Sequence, residues 1–109
     1  MKIIDAATAE EVQGIIASQP RVLVDFHKDQ CPACRMLDVA LQRVAGSGAG
    51  QGVTLLRVRM EVVGEDFFRG LGLRQTPTLA LFRDGRELLR MPGYQSPPQI
   101  EAAMAAHLA

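Results

Sequence analysis

Val22-Leu23-Val24-Asp25-Phe26-His27-Lys28-Asp29-Gln30-Cys31-Pro32-Ala33-Cys34-Arg35-Met36-Leu37 joins two segments of different character. Val22 to Phe26 is apolar at every position but Asp25, the pattern of a strand covered on both faces. From Cys31 to Val44 the apolar residues fall at helical spacing, which predicts a helix with Met36, Leu37, Ala40, Leu41 and Val44 on its inner side. Cys31-Pro32-Ala33-Cys34 therefore stands where a buried strand gives way to a helix. A helix N-terminus offers unpaired N–H groups and the positive end of a dipole, both of which stabilise a thiolate at Cys31. Pro32 suits the first helical position, where no N–H is needed. The N–H groups of Ala33 and Cys34 are then the ones expected to face the Cys31 sulfur. Cys34 lies one turn inward on the same side. That spacing suits disulfide exchange: Cys31 attacks a substrate disulfide, and Cys34 resolves the mixed disulfide intramolecularly.

The flanking sequence alternates strands and helices. Ile3-Ile4 predicts an edge strand, and Thr8-x-x-Glu11 has the form of a capping box ahead of Val12, Ile15 and Ile16. A third strand is expected over Val53 to Met60, and a short helix near Glu65 to Gly70. Thr78 to Phe82 and Glu87 to Met91 flank Asp84-Gly85, a hairpin signal. Ser96-Pro97-Pro98-Gln99 caps a last helix. The glycines from Gly46 to Gly52 follow a helix and lack the Gly-Lys-Ser/Thr ending of a phosphate loop, so they read as a flexible connection. The order predicts an α/β fold, a mixed sheet of four to five strands with helices on both faces.

Composition sets bounds. A chain of 109 residues has room for one domain. Twelve basic residues balance twelve acidic ones, so the basic excess of a nucleic-acid binder is missing. No apolar run is long enough to span a membrane, and Met1 to Asp5 has no secretory character. A cytoplasmic monomer is expected. There are only two cysteines, too few for a disulfide framework. Zinc would need two ligands besides them, and only His27 and the C-terminal His107 are histidines, so no metal is expected.

Val22 to Phe26 followed by Cys31-Pro32-Ala33-Cys34-Arg35-Met36-Leu37 resembles the active-site block of thioredoxins. Thr76-Pro77-Thr78-Leu79, with Phe82 and Asp84-Gly85, resembles their second signature, and Gly93 matches a glycine of their substrate groove. The resemblance runs the length of the chain. It implies a thiol–disulfide oxidoreductase acting on disulfide-containing proteins, with no bound cofactor. The implied electron source is an NADPH-dependent flavoprotein of the thioredoxin-reductase kind. It implies a cis Pro77 facing the cysteines and substrate contacts from Gln30, Pro32, Thr76, Pro77, Gly93 and Tyr94. It places Asp25 beneath Cys34 as a proton relay, where burial raises its pKa. Arg57 resembles a lysine that pairs with this acid. An arginine keeps its proton, so Arg57 is expected to hold Asp25 ionised.

Some positions depart from the family pattern. Gln30 and His27 stand where tryptophans are usual, Pro32-Ala33 where Gly-Pro is usual, and Val39 where a proline is usual. A protonated His27 would stabilise the thiolate. An N–H at Ala33, where the usual motif has proline, predicts a more oxidising couple. Proline directly after the first cysteine is more like glutaredoxins and disulfide oxidases. The alternatives are a glutathione-dependent, glutaredoxin-like activity and a binding module that keeps the fold without turnover.

Overall fold

Strand β2 (Arg21–His27) lies at the centre of the computed structural model, which describes residues 1–109. Around it the chain forms β1 (Lys2–Asp5), α1 (Ala9–Ser18), α2 (Pro32–Gly46), β3 (Thr54–Arg59), α3 (Met60–Val63), α4 (Glu65–Gly70), β4 (Thr78–Arg83), β5 (Arg86–Pro92) and α5 (Pro97–His107). The five strands form one sheet in the order β1-β3-β2-β4-β5. β1, β3 and β2 run parallel, joined by helical crossovers, and β4 and β5 are antiparallel. The β4–β5 turn is Asp84-Gly85, with φ of +51° and +83°. Positive φ at both residues is the geometry whose twist matches the flanking strands, and Gly85 adopts it without steric cost.

Alternation along the strands sorts side chains between two layers. Leu23, Leu55, Leu79 and Leu81 pack with Leu37, Leu41 and Val44 of α2 and with Ile100 and Met104 of α5. Val22, Val24, Phe26, Leu56, Val58 and Ala80 pack on the opposite face with Val12 of α1 and Phe68 of α4. The Phe26 and Phe68 rings meet edge to face, 5.5 Å between centroids. The mixed sheet with helices on both faces is the architecture that the sequence predicts, and β2 is covered on both sides as its apolar run requires.

Three local expectations are corrected. Met36 is 55% exposed, not inward-facing, because the buried face of α2 is the row Cys34, Leu37, Ala40, Leu41 and Val44. The third strand ends at Arg59, and Met60 begins the one-turn helix α3, separated from α4 by Gly64 at φ +102°. Thr8 does cap α1 through the Glu11 N–H at 3.0 Å, but the Glu11 carboxylate accepts from Ala7, at 3.2 Å, rather than from Thr8.

Candidate active site

The C-terminal end of β2 passes through Lys28, Asp29 and Gln30 to the first turn of α2. Gln30 is exposed and takes a left-handed conformation, φ +53°, which turns the chain into the helix. Cys31 is the helix cap, Pro32 occupies the first helical position, and Cys31 and Cys34 are joined as a disulfide with Cα atoms 5.2 Å apart. The Cys34 N–H donates to the Cys31 sulfur at 3.2 Å.

Only the Cys34 N–H caps the Cys31 side chain. In this disulfide form the cap bond closes on the third helical residue, and Ala33 makes no bond to the Cys31 sulfur. Exposure does not separate the two thiols either: Cys31 is 7% and Cys34 6% exposed in the disulfide form. Their surroundings differ instead. The Cys31 sulfur lies 3.8 Å from the Thr76 carbonyl oxygen and 3.9 Å from its hydroxyl. Thr76–Pro77 is a cis peptide, as the resemblance implied. Behind it the Gly93 N–H donates to the Pro77 carbonyl at 2.8 Å. Gly93 has φ +84°, and a Cβ there would stand 3.2 Å from the Gln75 amide nitrogen, so glycine fits on both counts. Cys31, Cys34, Thr76, Pro77 and Gly93 thus form one connected group. Pro32 and Tyr94 are exposed beside it in the chain.

A cleft of about 510 Å3 is lined by both cysteines with His27, Gln30, Asp38, Arg57 and further polar or charged residues. His27 does not carry the positive charge expected of it. Burial, reinforced by the nearby Arg57 charge, lowers its pKa, so the ring is neutral at pH 7 and offers no cation to a thiolate.

Asp25 is 1% exposed, and strand alternation puts it on the α2 face. Its Oδ1 is buried without a hydrogen-bond partner. Burial pushes its pKa up to about 7, against the pull of Arg57 and with a further push from Asp38. Arg57 does not hold Asp25 ionised as expected. The two residues are register partners on β2 and β3, yet the guanidinium pairs with Asp5 at 3.5 Å and with Asp38 at 3.4 Å. Asp38 is the residue that sequence reasoning missed. Its position four residues after Cys34, on the same helix face, was the available signal.

No group of three or more His, Cys, Asp or Glu side chains is placed to hold a metal. Residues 8–108 match the model of a family described as thioredoxin-like domain. A thioredoxin of Alicyclobacillus acidocaldarius subsp. acidocaldarius is 34% identical over 105 residues, covering 96% of this chain and 94% of that protein. Thioredoxin Asp f 29 of Aspergillus fumigatus is 32% identical over 109 residues, covering 99% of this chain and 94% of its own length. Among solved structures, the thioredoxin of Malassezia sympodialis superposes with a TM-score of 0.85 over 100% of this chain and 96% of that one, at 20% identity, a likeness of fold.

Proposed function

The chain belongs to the thioredoxin family and is a thiol–disulfide oxidoreductase, and from that premise we propose the roles of its site residues and its electron source. Membership implies disulfide-containing protein substrates and a reductase partner in general. In our reading Cys31 is the nucleophile. Its thiolate attacks one sulfur of a substrate disulfide, forming a Cys31–substrate bond and releasing the other sulfur as a thiolate. Cys34 then gives its proton to the Asp25 carboxylate and attacks the Cys31 sulfur. That step forms the Cys31–Cys34 disulfide and releases the second substrate thiolate. The substrate has gained two electrons and the protein has lost two. An NADPH-dependent flavoprotein reductase in the cytoplasm restores the dithiol.

The observation that carries this assignment is the position of the Cys31 sulfur. It accepts the Cys34 N–H at 3.2 Å and lies 3.8 Å from the Thr76 carbonyl, between a helix N-terminus and the Thr76 backbone. A thiolate there gains from the N–H and the dipole, and an extended peptide alongside Thr76 finds strand-like hydrogen-bonding groups. In our reading the substrate contacts are Thr76, Pro77 and Gly93, together with the exposed Gln30, Pro32 and Tyr94. The test is to trap the intermediate. Cys34→Ser should accumulate a mixed disulfide with insulin at Cys31, and Cys31→Ser should not. Faster alkylation of Cys34 than of Cys31 in the reduced protein at neutral pH would reverse the assignment.

A further inference from the structure

Three strands place an acid, a base and an acid side by side: Asp5 of β1, Arg57 of β3 and Asp25 of β2 share one register row. Register alone makes Arg57 equally available to both carboxylates. The guanidinium nevertheless engages Asp5 through Nη1 and Asp38 of α2 through Nη2, and its buried Nε has no partner. Asp25 Oδ1 is likewise buried and unpartnered. Asp38 is itself held in place, because Gln42 one turn further along α2 donates to its Oδ2 at 3.1 Å.

We propose that Asp38 is a positioning residue: it engages the Arg57 guanidinium and so leaves the Asp25 carboxyl unpaired, able to exchange a proton with Cys34. The proposal rests on the reading of Asp25 as the proton acceptor of Cys34. An aspartate paired with a guanidinium stays ionised through the neutral range and is a poor proton carrier. An unpaired buried one titrates where the chemistry runs. Of the two acids on Arg57, Asp5 is 75% exposed and Asp38 only 36%, so Asp38 is the less screened and the stronger hold. The charged groups acting on Asp25 are Arg57 of β3, its register partner, and Asp38 of α2. From β4 the register partner is the apolar Leu79.

The experiment follows the Asp25 side-chain carboxyl by carbon NMR against pH in the oxidised protein. Asp38→Asn is a near-isosteric change at a half-exposed helix position. It should free Arg57 to turn to Asp25 and move the Asp25 midpoint down by about one pH unit or more. Removing the Asp38 charge has the same sign without any repositioning, so Asp38→Asn is repeated in an Arg57→Gln background. Positioning predicts that most of the shift disappears there. An equal shift in both backgrounds, or no shift in either, overturns the proposal. The rate of mixed-disulfide resolution, measured from about pH 5 to 9, provides the second readout, and its acid limb should follow the Asp25 midpoint. A moved midpoint with an unmoved limb overturns Asp25 as the base for Cys34, while the hold of Asp38 on Arg57 stands.

Discussion

Two helices of this protein begin in the same way. α2 starts with Cys31 at the cap and Pro32 behind it, and α5 starts with Ser96 and Pro97. In each, the cap side chain accepts the N–H of the third helical residue, from Cys34 at 3.2 Å and from Gln99 at 3.4 Å. The difference is what that third residue returns. The Gln99 amide oxygen accepts the Ser96 N–H at 2.8 Å and closes a capping box. Cys34 returns a sulfur bonded to the cap itself. One local geometry is a structural clasp when its ends are hydroxyl and amide, and a redox couple when both ends are thiols. Proline at the first helical position serves both, since it preorganises the turn without requiring a hydrogen bond.

The sharpest way to break this comparison is to turn one cap into the other. Serine is among the best cap residues, so Cys31→Ser should leave α2 capped and lose all turnover. Insulin reduction should be undetectable, while the variant stays within about 1 kcal/mol of the reduced parent in denaturant unfolding. Unfolding of α2 in this variant would show that the sulfur has a structural role that the hydroxyl at α5 does not.

A smaller effect comes from Asp25, the buried acid of β2. Asp25 keeps its proton up to about pH 7 in the folded protein, against an ordinary value of 3.8. The unfolded chain therefore loses that proton first as pH rises. Stability falls between the two values, and the penalty is complete above the folded one. Asp25→Asn removes the titration. Its stability relative to the parent should improve from pH 4 to pH 8, by as much as about 4 kcal/mol. Resolution of the mixed disulfide should slow by about 100-fold at neutral pH, with attack by Cys31 nearly unchanged. A stability difference independent of pH would mean that Asp25 is ionised throughout.

Much of this site was legible in the sequence because it is made of local signals. The strand-to-helix junction, the cap at Cys31, the box at Ser96 and the turn at Asp84-Gly85 each depend on a few adjacent residues, and each is where the pattern put it. The misses depend on what lies across the fold. The choice of Asp38 over Asp25 by Arg57 depends on how α2 seats above β3. The neutral state of His27 depends on burial and on the charge of Arg57, from another strand. Met36 was misplaced because the inner row of α2 runs through Cys34 and Leu37, so its neighbour faces solvent.

The least effect belongs to the cap that does only structural work. Ser96→Ala removes the acceptor for the Gln99 N–H and leaves the returning bond from Gln99 to the backbone intact. Loss of a serine cap typically costs about 1 kcal/mol. Here the cost should stay near that value, because the remaining bond still closes one side of the box and Pro97 still sets the first turn. α5 carries Ile100 and Met104 into the same apolar layer as Leu37 and Leu41 of α2. A loosened α5 start could therefore reach the active site through that layer, and activity must be measured beside stability. Unchanged insulin reduction at a temperature well below unfolding, with the midpoint in denaturant lowered, would separate the two caps as the comparison requires. A loss of turnover larger than the loss of folded protein would show that the clasp at α5 also positions the couple at α2.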